Sequence, residues 1–161
     1  MNKLNRKIPL QYVTQKLRSL NWHDISFLLD KGYLEYQAAI EYAAEMIGNI
    51  PEHEEVLVEL MVLSQNEIAE GVLVKEHVAK LARNVEKLDK QKSFDKVLFL
   101  IMSWVYDHRK QRDEPLYGIF LIAEDFDFPR SIIDLYRPYD EFAAYQDWEK
   151  YLRDEAVRWG K

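Results

Sequence analysis

Leu10, Val13 and Leu17, then Trp22, Ile25, Leu28 and Leu29, then Tyr36, Ala39, Ile40, Ala43 and Ile47: apolar side chains return every third or fourth residue along almost the whole chain. That interval is the stripe one face of an α-helix buries. Runs of alternating or β-branched residues, the mark of strands, are short. Five glycines and five prolines in 161 residues punctuate the pattern without breaking it. The chain therefore predicts an all-α fold, a single domain over residues 1–161, built as a bundle of about eight or nine helices whose pairs can stack. With 48% apolar residues, a chain of this length buries roughly two thirds of its unfolded surface without cross-links.

The punctuation places the helices. Pro9 opens the first, with Leu20 completing its inward face. Asn21 caps the second, and Gly32 ends it in the left-handed conformation that glycine tolerates. The third runs from about Leu34 to Ile47, with Gln37, Glu41 and Glu45 on its outer face. The fourth, Glu52–Leu63, is apolar nearly all round, which predicts a central position. A brief turn over Asn66–Gly71 precedes a seam of Val74, Val78, Leu81, Val85 and Leu88. Ser93 caps the most apolar helix, which reaches Tyr106. Its longest apolar run, Val97–Met102, is far short of the ~20 residues a membrane span needs. Asp140 caps a last helix with Phe142, Tyr145, Trp148, Leu152 and Trp159 inward, and with Glu149–Arg153 and Asp154–Arg158 pairs outside.

Composition narrows the function classes. The absence of cysteine excludes disulfides, thiolate metal sites and a cysteine nucleophile, and fits a reducing compartment. With neither a secretory nor a lipidation signal visible, a cytoplasmic location is expected. The net charge of −6 lies in blocks: residues 1–20 and 75–112 are basic, 21–74 and 113–161 acidic. That balance disfavours nucleic acid, which needs a concentrated basic face, and favours a basic protein partner. No cofactor and no membrane association are expected.

Residues 113–139 hold three of the five prolines and the run Glu124-Asp125-Phe126-Asp127-Phe128-Pro129-Arg130. Asp113 or Glu114 caps a helix that Pro115 enters, with Leu116, Ile119, Phe120 and Ala123 on one face. Pro129 stops it near Phe126, and Ser131 caps a short successor through Ile132, Ile133 and Tyr136. The result is a rigid corner, aromatic beneath and acidic above. Its carboxylates Glu124, Asp125 and Asp127 invite a metal or acid–base reading, although the ligand number and the glycine of a calcium loop are missing; the other readings are a partner-binding edge and internal pairs with Arg130 or Arg137. Tyr136, Tyr139 and Tyr145 add aromatic contact area beside the acids. Elsewhere the chemistry is thin. His23, His53, His77 and His108 make no pair four apart, and neither a glycine-rich loop nor a nucleophile elbow occurs. His23 and Asp24 invite an acid–base reading, but consecutive helix positions point apart, so a polar patch beside buried Trp22 is the simpler reading.

In the same order, Asn21-Trp22-His23-Asp24-Ile25, Gly32, Glu41-Tyr42-Ala43, Glu114-Pro115-Leu116, the Glu124–Pro129 run and Arg137-Pro138-Tyr139 resemble a bacterial domain-of-unknown-function family of small soluble helical proteins. The resemblance implies an all-helical cytoplasmic protein, similar in size and acidity to immunity proteins of toxin systems. The expected function is thus a non-catalytic protein-binding protein, an immunity-type inhibitor of a basic toxin domain, acting through Glu41, Glu45, Glu124, Asp125, Asp127, Tyr136 and Tyr139. The rivals are an enzyme with a dispersed carboxylate and histidine site around His23, Asp24 and Asp127, and a helical-repeat adaptor.

Overall fold

Helix boundaries fall where side chains can satisfy the backbone groups that a helix end leaves open. The computed structural model describes residues 2–48, 54–85, 87 and 89–161, the side chain of Val85 excepted. Among these, ten α-helices follow one another: α1 (Leu10–Lys16), α2 (Trp22–Lys31), α3 (Tyr36–Met46), α4 (Glu54–Met61), α5 (Gln65–Glu70), α6 (Val72–Val85), α7 (Lys90–Asp107), α8 (Tyr117–Asp125), α9 (Arg130–Ile133) and α10 (Glu141–Trp159). Asn21 and Ser64 close capping boxes with Asp24 and Glu67; Asp140 caps α10 through the Ala143 amide. Gly71 ends α5 at φ 79° beneath the Tyr36 ring, which a Cβ there would strike.

The core is built on α7, where every residue from Val97 to Met102 is buried. Helix α7 packs against α2, α8 and α10, and α2 also lies along α6. Trp22, Trp148, Tyr33 and Phe99 are the largest wholly enclosed side chains. One buried ion pair crosses this core: Lys96 Nζ lies 2.7 Å from Asp24 Oδ2 and donates to the Ser19 carbonyl at 2.6 Å. The segment after α1 is tied to the far end of the chain. Leu17 bridges Gly160, the Arg18 amide donates to the Trp159 carbonyl, and the Lys161 amide to that of Lys16.

Several expectations need correction. Helix α4 is not central: Val58, Met61 and Val62 face outward, because only the Val56, Leu57 and Leu60 stripe meets α3 and α6. Helix α7 begins three residues before Ser93, capped by Asp89 through the Lys92 amide, so Ser93 is a buried position inside the helix. Pro129 rather than Ser131 precedes α9. Phe142 is 75% exposed, and among the described residues the ion pairs on α10 are Arg137–Asp147, Lys150–Asp154, Arg158–Glu155 and Arg158–Asp95. Glu52, His53 and Leu88 lie outside the described residues.

Candidate functional site

The acidic-aromatic corner between α8 and α9 divides into an anchored half and an exposed half. The anchor is Asp125, the last residue of α8. Its carboxylate accepts from the Lys3 amide at 2.8 Å and from the Tyr33 hydroxyl, while Lys31 Nζ donates to its backbone carbonyl at 2.6 Å. Burial, reinforced by the hydrogen bond to Asp125, holds the Tyr33 phenol in its protonated form far above the usual tyrosine range. Phe126 follows Asp125 inward, stacking on Phe27 with its edge to Phe94, both at 5.6 Å between centroids. Asp125 is thus 5% exposed and fastens the corner to α2 and to the residues before α1. That placement overturns its assignment to an open acidic edge, because both the Tyr33 ring and the Lys3 backbone cover it.

Asp127 and Phe128 are turned the other way. Both have positive φ, 59° and 53°, a conformation that costs a side-chain-bearing residue of order 1–3 kcal/mol. The Phe128 amide returns to the Ala123 carbonyl at 2.7 Å, the six-to-one bond that ends a helix through a left-handed residue. Pro129 prevents the helix from continuing, so the acid and the ring project outward, and Phe128 is 51% exposed. Behind it lies a ladder of rings: Phe128 on Phe120, Phe120 stacked on Tyr117 at 5.8 Å, and Tyr136 against both Phe120 and Tyr117. Beside Tyr117 and Tyr136 a small cleft of about 260 Å³ is walled by Pro115, Pro138 and the acids Asp113, Glu114 and Glu141. Tyr139, 85% exposed, and Phe142 lie next along the chain.

The remaining site residues sit apart. Glu124 is half-buried with Lys3 Nζ 3.9 Å away. Glu41 and Glu45 occupy the exposed face of α3, which packs on α1, α4, α5 and α6, whereas α8 packs on α7 and α9. The fold therefore gathers Asp127, Tyr136 and Tyr139 along the α8–α10 segment and leaves Glu41 and Glu45 on a separate packing unit. Arg137 pairs with Asp147, not with the corner. Sequence reasoning missed Tyr117, Phe128 and Phe142 as exposed aromatics. The signal for Phe128 was the proline after it.

His23 and Asp24 do not assemble with Asp127. Asp24 is enclosed by Lys96 and the α2 cap, and Asp127 is exposed beyond α8. His77 bonds the Leu73 carbonyl and lies 3.1 Å from Glu59; His108 bonds the Trp104 carbonyl. Among the described residues no three histidine or carboxylate side chains gather as metal ligands. No helix among them is long and apolar enough to cross a membrane. No curated protein and no solved structure matches this chain. A family model does match, over residues 10–156, and the chain belongs to that family, DUF2247, uncharacterized proteins conserved in bacteria.

Proposed function

We propose that this chain is a protein-binding protein, an inhibitor of the immunity type, whose α8–α10 corner meets a basic partner such as a toxin domain. The observation that carries the reading is the pair of consecutive left-handed residues, Asp127 and Phe128. Glycine would relieve that strain, and strained backbone of this kind concentrates at binding and catalytic sites. Here it displays a carboxylate and a half-exposed ring, and Tyr139 and Phe142 are exposed further along the same segment. Aromatic anchors supply contact area at low entropic cost, and surrounding acids steer a cationic partner and fix its register. Glu124, Glu41 and Glu45 extend the acidic field on which such steering depends.

The test is co-purification with the product of the adjacent gene, followed by titration calorimetry at low and high salt. Phe128→Ala with Asp127→Lys should weaken a complex at least about tenfold. Reversal of Glu41 and Glu45 should change mainly the association rate. A complex indifferent to the first pair of changes would remove the corner from the interface.

A further inference from the structure

A strongly basic cleft opens on this net-negative protein at the first turn of α7. It encloses about 680 Å³ and is lined by Lys87, Lys90, Lys92 and Lys96 together with Ser19, Asn21, Asp89, Ser93 and Trp159. That volume is in the range of clefts that take small molecules, roughly 300–1,000 Å³. Among the described residues that line it, four lysines accompany one carboxylate, Asp89, which caps α7 through the Lys92 amide, and of the four Lys96 is paired with Asp24. Lys87, Lys90 and Lys92 form no ion pair among the described residues.

Two further observations separate this cleft from a merely solvated lysine patch. Ser93 is 5% exposed and lines the cleft. Lys96 is equally buried and lines the cleft; its ammonium spends two of three N–H groups on Asp24 and Ser19 and lies 5.9 Å from the centre of the Trp159 ring. The first turn of α7, 18 residues long, adds the positive end of its dipole. The indole of Trp159 forms an apolar wall.

From this geometry we infer that the cleft binds a small phosphorylated ligand, with its phosphate between Ser93, Lys90, Lys92 and Lys96 and its apolar portion against Trp159. Phosphate suits the donor set: several oxygens accept at once from a hydroxyl and from ammonium groups on two successive turns of one helix. The inference is independent of the α8–α10 corner.

Inorganic pyrophosphate is the probe, titrated calorimetrically into the full chain at physiological salt, with sulfate at matched ionic strength as the control. Saturable one-to-one binding tighter than about 1 mM is expected, with sulfate at least about tenfold weaker. The surface change Lys90→Glu with Lys92→Glu should abolish it. Ser93→Ala, which leaves every charge in place, should weaken it about three- to tenfold, with unchanged circular dichroism. Absence of saturable binding overturns the proposal, as does equal affinity for sulfate or indifference to Ser93→Ala. Tight binding of an RNA oligonucleotide that pyrophosphate fails to displace also overturns it, by assigning the lysines to a polymer.

Discussion

Replacing Lys96 by methionine, nearly its equal in length, removes one charge from the most enclosed ion pair of the fold. Asp24 has no exposed surface and Lys96 is 5% exposed, with 2.7 Å between their charged atoms. At that separation and an effective dielectric near 20, the gross attraction is about 6 kcal/mol. Most of it is offset by the cost of taking both groups out of water, so the intact pair adds little net stability. The variant is different, because it keeps the desolvated carboxylate and deletes its counter-charge. Only the Asn21 amide, at 3.1 Å, still donates to Asp24 Oδ2, and the Ser19 carbonyl loses its donor as well. A loss of about 3–5 kcal/mol is expected, a large share of the 5–15 kcal/mol typical of a domain. Urea unfolding followed by circular dichroism at 222 nm measures it, through the midpoint at constant slope. Adding Asp24→Asn to Lys96→Met should recover about 2 kcal/mol or more, since no charge is then left buried alone. A single variant that costs under about 1 kcal/mol, or a double variant no better than the sum of its parts, refutes the account.

Burial, joined by hydrogen bonds to Asp107 and Asp125, raises the phenols of Tyr12 and Tyr33, and burial beside Glu155 and Asp95 raises that of Tyr151. A raised folded-state pKa contributes stability that is complete below the unfolded value, near 10, and is lost as pH climbs above it. Stability should therefore fall beyond pH ~10, with three tyrosines resisting ionisation at 295 nm until the fold opens; uniform titration of all ten contradicts this. Gly71→Ala, which drives a methyl into the Tyr36 ring at φ 79°, should cost at least about 2 kcal/mol more than Gly48→Ala, where φ is 89° and no atom of the described residues lies within 4 Å. Equal thermal shifts in the two variants would show that the ring moves aside freely. Asp127→Gly should stabilise the chain by about 0.5–1 kcal/mol in urea while weakening partner binding, and a destabilised variant would show that the left-handed turn carries no strain.

Much of the helix order was legible because its signals are local. Asn21 and Gly32 bracket α2, Ser64 and Gly71 bracket α5, and in each case the bonds that decide the boundary span at most a few residues. Ser93 has the right side chain for a cap, but Asp89, four residues earlier, takes that role, with Lys90, Gln91 and Lys92 left in water as the first turn. The all-round apolar character of α4 predicted centrality, yet which stripe is covered depends on α3 and α6. The corner was harder still. Asp125 and Asp127 look alike in sequence, but one helical residue directs the first to a hydroxyl 92 positions away while the left-handed turn expels the second. The basic cleft escaped notice for a similar reason. Its lysines were visible as a charge block, but nothing near Lys96 announces Asp24, 72 positions before it, or Trp159 after it.

The pairing of Leu17 and Arg18 with residues 158–160 has a bearing on biosynthesis. Arg18 donates to the Arg158 carbonyl across 140 positions, so the ribosome delivers the acceptor long after the donor. Until then the Arg18 amide lacks the carbonyl it meets in the finished fold, that of Trp159. Such distant closure slows folding. Nascent chains stalled before residue 158 should accordingly be more sensitive to protease near Leu17 than released ones.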